Sequence, residues 1–205
     1  MAEITTLENE RARIANDLHD ELGLVLSTIK VKLSSIEIDD ADDRKELQES
    51  SDYLDDMIKR MREISNDLMP TTLLRKGLEP AVEEVVKKIS VSKDLKINFH
   101  SSDIPMLPNE IAINFYRIIL EIIHNTVKHA KAANLIIELK KENDFIFLNT
   151  QDDGIGFNYT SAMKGNPGLG LRNLLSRTDV MNGSLFIESK VNIGTKYSIQ
   201  IPYLP

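Results

Sequence analysis

Apolar residues recur at Ile14, Leu18, Leu22, Val25, Ile29, Leu33 and Ile36, at steps of 4, 4, 3, 4, 4 and 3. This spacing is one stripe of an amphipathic helix, expected over Glu3–Ile38. Ile14, Val25 and Ile36 lie eleven apart, a period that gives a bundle with little or slightly right-handed supercoil. The acidic run Ile38-Asp39-Asp40-Ala41-Asp42-Asp43 breaks the pattern. Asp42 or Asp43 is suited to cap the next helix, because a carboxylate accepts from free N-terminal amides. Leu47, Leu54, Met57 or Ile58, Met61, Ile64 and Leu68 form a second stripe over Arg44–Leu68, and Pro70 ends it. Two long helices with a short connection predict an antiparallel hairpin. Its own core is thin, so a homodimeric four-helix bundle is expected.

The pattern then changes. Met69–Leu74 reads as a linker and Leu78–Val91 as a shorter helix. Pro108 opens a long helix over Asn109–Ala132. Strands are expected at Leu95–His100, Leu135–Lys140, Phe145–Thr150, Ser184–Ser189 and Thr195–Ile201, with a helix over Leu171–Met181. Helices mixed with mostly antiparallel hairpins indicate an α+β fold: a helical hairpin over 1–70, followed by an α/β sandwich over 71–205. There is no internal repeat or low-complexity segment.

Composition narrows the classes. Hydrophobic residues make up 41% of the 205, with no Trp and no Cys. The core is therefore aliphatic, and disulfides, thiolate nucleophiles and Cys-ligated metals are excluded. No apolar run approaches membrane-spanning length, and the charged N-terminus is not a signal peptide. A cytoplasmic setting is expected, including the cytoplasmic part of a membrane-anchored sensor, with no membrane contact from this segment. The net charge of −7 argues against a nucleic-acid surface, though not against a nucleotide.

Candidate chemistry lies in both halves. On a helical wheel His19 falls roughly 90° from the centre of the first stripe, at the edge of the buried face, with Asp20 further out. Taken alone, a single His there reads as a boundary residue. In the helix after Pro108, Arg117, Glu121, Asn125 and Lys128 share a stripe, with His129 beside Lys128. An Asn oxygen is a hard ligand suited to phosphate-bound Mg²⁺, although such a stripe alone also reads as a solvated face. Asp152-Asp153-Gly154-Ile155-Gly156-Phe157 follows a strand end, where a carboxylate can accept from an adenine amino group and glycines let backbone approach the base. Gly168-Leu169-Gly170-Leu171 opens a helix whose amides suit phosphate, and Gly194-Thr195 precedes the last strand. Each signal is weak by itself; in this order and spacing they mark a nucleotide site.

Nearly the whole chain resembles a sensor histidine kinase, with a dimerisation and phosphoacceptor hairpin joined to a GHKL-type ATP-binding domain. Arg11 to Gly23, around His19-Asp20, is similar to the phosphoacceptor box of the nitrate-sensor and thermosensor subfamily. Glu121 to Ala130 resembles the N box, Asp152 to Phe157 the first G box, Gly168 to Asn173 the second, and Gly194-Thr195 the terminal GT element. The resemblance implies an enzyme using ATP and Mg²⁺. His19 would attack the γ-phosphate, Asp20 would take its proton, and Glu121 would hold a metal water or help in activation. Asn125 would ligate Mg²⁺ and Asp152 would contact adenine. Lys128, His129 and Lys164 would lie near phosphates. Gly154, Gly156, Gly168, Leu169, Gly170, Leu171 and Thr195 would line the nucleotide and a lid spanning Phe157–Gly170. The phosphoryl group would pass to an Asp of a response regulator receiver domain. Two other classes share parts of the pattern. A GHKL clamp ATPase needs no phosphoacceptor box, and a non-catalytic ATP-binding scaffold needs no complete catalytic set.

One position departs from the family. Many members of the subfamily it resembles carry Gln or His five residues after the phosphoacceptor; here that residue is Leu24. Leu has no group to orient a hydrolytic water, which puts phosphatase activity in doubt.

Overall fold

The computed structural model describes residues 2–36, 40–92, 95–159 and 168–203. The chain divides into two compact units, one of Ala2–Thr71 and one from Thr72 onward.

In the first unit α1 (Ala2–Asp17) and α2 (Gly23–Ser34) are joined by a π-helical turn, Leu18–Leu22. There the Gly23 N–H reaches back five residues to the Leu18 carbonyl. Helix one therefore carries a widened turn at His19, which the apolar spacing did not reveal. It also ends at Ser34, where Ser35 and Ile36 turn back to the Lys32 and Leu33 carbonyls at 3.2 Å. Ile38, its expected end, lies outside the described residues. The partner helix α3 spans Ala41–Leu68. Its cap is Asp40, not Asp42 or Asp43: Asp40 has the extended backbone a cap requires, and its Oδ1 accepts from Asp42 N at 2.8 Å and Asp43 N at 3.2 Å.

The two helices run antiparallel. Ser65 Oγ donates to the Ala15 carbonyl at 3.2 Å, Met61 passes over Gly23, and Lys30 pairs with Asp55. Ala15, Ile58 and Met61 are buried along this seam, with Leu26 and Leu33 half-buried. The apolar stripe read from the sequence is mostly not the seam: Leu22, Val25, Ile29 and Ile36 stay exposed, as do Met57 and Ile64 of α3. The first unit thus has one face closed by its own hairpin and a second apolar face uncovered.

The second unit opens with α4 (Thr71–Lys76), where a linker was expected; Leu73 is buried in the core, and Gly77 N closes the turn onto the Leu73 carbonyl. Next come α5 (Leu78–Ser92), β1 (Lys96–Ser102) and α6 (Asn109–Asn125). A second π-helical turn, Thr126–Ala130, extends α6 and stops at Lys131, whose φ is 51°. The chain continues through β2 (Asn134–Glu142), β3 (Phe145–Asp152), α7 (Leu169–Val180), β4 (Ser184–Lys190) and β5 (Gly194–Pro202). The sheet order is β1-β2-β3-β5-β4; β1 and β2 are parallel across the α6 crossover and the other pairs antiparallel.

Strand alternation gives this sheet one apolar face. Leu135, Ile137, Leu139, Ile146, Leu148, Ile199 and Ile201 are buried, while Glu138, Gln151 and Lys196 are exposed on the other side. Phe115, Ile118, Ile119, Ile122 and Ile123 of α6 are buried in the same core. Each such side chain contributes about 1.5–3 kcal/mol, so α6 is fixed firmly enough to aim the polar residues at its C-terminal end.

Candidate functional site

The site begins at the end of β3. Alternation puts Thr150 and Asp152 on the helix side of the sheet, and Asp152 is only 4% exposed. Its Oδ1 accepts from Gly154 N at 2.9 Å and Thr195 N at 3.3 Å. Burial pushes the Asp152 carboxyl above its usual range, those amides pull against it, and the Asp153 charge adds to the rise. Asp153 points elsewhere and ties the loop to the start of β2. It accepts from Ala133 N, Asn134 N and Asn134 Nδ2 at 2.7–2.9 Å, and these bonds hold its carboxyl below the usual range.

The loop after Asp152 is fastened on both sides. Ile155 N donates to the Ala130 carbonyl at 2.8 Å and Asn192 N to the Ile155 carbonyl at 2.7 Å. Ser189 Oγ accepts from Phe157 N at 2.8 Å and bonds Thr195 Oγ1 at 2.9 Å. Gly156 has φ +55°, and a Cβ there would stand 2.2 Å from the Lys190 carbonyl oxygen.

The opposite wall comes from α6 and its π turn. Asn125 is the last α-helical residue, and the buried Thr126 hydroxyl donates to the Ile122 carbonyl at 3.0 Å. In the wider turn the residue four beyond Asn125 returns to the cavity side, so His129 lines the cavity and Lys128 does not. One turn before Asn125, the Glu121 carboxylate lies against Gly170. A Cβ on Gly170 would come within 2.2 Å of Glu121 Oε1, so a larger residue there would require the Glu121 carboxylate to turn away from the start of α7, while Asn125 Nδ2 at 3.5 Å would be in ordinary contact.

These elements enclose a cavity of about 410 Å³. It brings together Asn125, His129, Asp152, Gly156, Gly168, Leu169, Gly170, Leu171 and Thr195 of the expected set. Gly154 lies behind the loop against the Ala130 carbonyl instead. Lys164, with the rest of residues 160–167 in the expected Phe157–Gly170 lid, lies outside the described residues. Thr126, Ala130, Leu174 and Tyr197 also line the cavity and were missed from the sequence. Tyr197 was accessible to strand reasoning, since it shares the face of Thr195 two residues earlier. Its phenol is pushed up to about 12 by burial, then by the Asp152 and Glu121 carboxylates.

In the first unit His19 occupies the π turn, and its side chain lies outside the described residues. Asp20 is exposed on the same turn. With Gly23, Leu24 and Ser27 it faces Ile58, Met61 and Arg62 of α3 across a groove of about 360 Å³, and Leu24 is 68% exposed.

Among the described residues, no group of three or more His, Asp or Glu could hold a metal ion. The hard oxygen donors of Asn125 and Glu121 still fit Mg²⁺, which takes few protein ligands and completes its shell with phosphate and water. Among the described residues no helix is long and apolar enough to cross a membrane.

A family described as histidine kinase matches residues 10–73, and one described as histidine kinase-, DNA gyrase B-, and HSP90-like ATPase matches residues 110–205. The chain belongs to the histidine kinases. This kinase core is 29% identical over 204 residues to the oxygen sensor histidine kinase NreB of Staphylococcus carnosus (strain TM300), covering 97% of the chain and 58% of that relative. It therefore spans somewhat more than half of the relative's length. The histidine kinase domain from the Erythrobacter litoralis EL346 blue-light activated histidine kinase superposes with a TM-score of 0.55 at 17% identity, covering 98% of this chain and 94% of that one. The Acinetobacter baumannii histidine kinase AdeS gives 0.52 at 15% identity, covering 93% and 98%. At these identities the likeness concerns the fold.

Proposed function

We propose that the chain binds ATP in the second unit, phosphorylates His19, and passes the phosphoryl group to an aspartate of a response regulator receiver domain. The observation that carries this is the convergence of Asp152, Asn125, Thr195 and the α7 N-terminus on one cavity, in a chain that also presents His19-Asp20 on a helical hairpin. Asp152 accepts from the adenine amino group. The first amides of α7, around Gly168 to Leu171, meet phosphate oxygens, and His129 stands on the phosphate side. Asn125 would ligate Mg²⁺ and Glu121 would hold one of its waters; the ion supplies charge neutralisation on the phosphates.

In the transfer itself an imidazole nitrogen of His19 forms a bond to the γ-phosphorus as the bond to the β–γ bridging oxygen breaks, and ADP leaves. Asp20 takes the proton from the other ring nitrogen, keeping the attacking one nucleophilic. Catalysis is otherwise positioning and electrostatics. Residues 1–70 act as the dimerisation and phosphoacceptor domain and 71–205 as the ATP-binding domain. The exposed face of Leu22, Val25, Ile29 and Met57 supports a homodimer through the hairpins. The segment works in the cytoplasm, where ATP and receiver domains are found. Leu24, exposed in the groove beside Asp20, offers no hydrogen bond to a hydrolytic water, so phosphatase activity is weak or absent.

The test is incubation with γ-labelled ATP and Mg²⁺. Protein-bound label that is lost in acid and kept in alkali is expected. An acid-stable label, or none, overturns the reading.

A further inference from the structure

Tyr197 lines the cavity with a polar group that has no role in the ATP site as drawn above. It is 6% exposed, yet it lines the cavity. The phenol has no hydrogen-bond partner among the described residues. It lies close enough to Asp152 and Glu121 to feel both carboxylates. Its hydroxyl keeps access to the cavity rather than being sealed in the core, so a molecule bound there can supply a partner.

The neighbouring chemistry identifies it. Asp152 uses Oδ1 for two backbone amides, and its second oxygen is left for an incoming donor. Adenine offers an amino donor flanked by ring-nitrogen acceptors. An acceptor and a donor side by side on the protein match that edge, and the carboxylate provides only the acceptor. Guanine presents a carbonyl oxygen where adenine has the amino group and is repelled by Asp152.

We propose that the Tyr197 phenol is the donor that completes adenine recognition, bonding a ring nitrogen beside the amino group directly or through one water. The phenol stays protonated at any physiological pH, so it always has a hydrogen to give. The proposal rests on the reading of this cavity as the ATP site.

The test compares binding of ATP, 1-deaza-ATP and 7-deaza-ATP by calorimetry to the wild-type chain and to Tyr197→Phe, Asp152→Asn and Thr150→Val. Phe keeps the ring and its packing, so the melting temperature of Tyr197→Phe should be unchanged. The wild type should bind one deaza analogue about 3- to 10-fold more weakly than ATP, the range of one net hydrogen bond. Tyr197→Phe should lose a similar factor toward ATP and no longer distinguish that analogue. Thr150→Val removes the hydroxyl of the register partner of Tyr197 and should bind all three nucleotides as the wild type does. If Asp152→Asn weakens ATP while Tyr197→Phe binds and discriminates like the wild type, the Tyr197 proposal is wrong and the ATP site stands. If the wild type binds no ATP, or Asp152→Asn has no effect, the site reading fails and the proposal falls with it.

Discussion

Two helices of this chain carry comparable apolar stripes and meet different fates. In α6, Phe115, Ile118 and Ile122 are 0% exposed, because the sheet supplies a complete partner surface within the same unit. In α2, Val25 is 52% and Ile29 40% exposed, because α3 covers only the neighbouring face. Amphipathic spacing shows that a face must be buried, without showing what buries it. For α6 the answer lies within the chain; for the hairpin the proposed answer is a second copy.

The sharpest way to break this contrast is to charge the open face. Val25→Glu with Ile29→Glu should give monomers by sedimentation and nearly abolish autophosphorylation, while ATP affinity stays at its wild-type value. Ile118→Glu should instead unfold the ATP-binding unit, since it places a charge in a fully buried position. A wild-type chain that sediments as a monomer at micromolar concentration would contradict the account of the open face.

The next effect is at Asp152. Asp152→Asn should weaken ATP binding by about 1–3 kcal/mol, roughly 5- to 150-fold. Stability should move the other way. The buried carboxyl has its pKa raised by desolvation, so the native state holds this proton more tightly than the unfolded chain does. Ionisation therefore costs stability as pH rises through the raised pKa. Asn keeps an acceptor for the Gly154 and Thr195 amides and removes the charge. The ligand-free variant should melt higher than wild type at pH 7, with the gain shrinking as the pH approaches 4. A lower melting temperature at pH 7 would count against the desolvation argument.

A smaller change is expected at Thr150, whose Oγ1 is buried without a partner. Thr150→Val replaces the hydroxyl by a methyl group of similar shape and should raise stability by about 1 kcal/mol in denaturant titration. A loss of stability would show that the hydroxyl is satisfied, for instance by a buried water. The smallest structural change has a purely functional readout. Leu24→Gln alters an exposed side chain and should leave autophosphorylation nearly intact. Decay of a pre-phosphorylated receiver domain should accelerate in the presence of the variant. Fast decay already with Leu24, unaffected by the change, would mean another residue holds the water.

Periodicity and the glycine clusters made the element order, the sheet strands and most of the cavity legible in the sequence. The misses have physical causes. A π turn adds one residue to a helix, and a stripe with steps of three and four absorbs it, so the turns at Leu18–Leu22 and Thr126–Ala130 left no mark. The choice between Lys128 and His129 depended on that turn. In the run from Asp39 to Asp43 four of the five residues are aspartates and plausible caps, and backbone conformation singled out Asp40. Pro70 and two threonines disguised α4, whose one buried residue, Leu73, is too little to form a pattern. Tyr197 and Thr150 read as ordinary strand residues because alternation assigns a face and not a partner.

The central claim is that His19 receives the γ-phosphoryl group of ATP held in the second unit. The most direct measurement pairs labelling with binding on the full chain and on His19→Gln. With γ-labelled ATP and Mg²⁺, the wild type should acquire an acid-labile label that peptide mapping locates at His19. The variant should bind ATP with unchanged affinity and acquire none. A variant that takes up acid-labile phosphate at the wild-type rate would place the phosphoacceptor elsewhere and contradict the account.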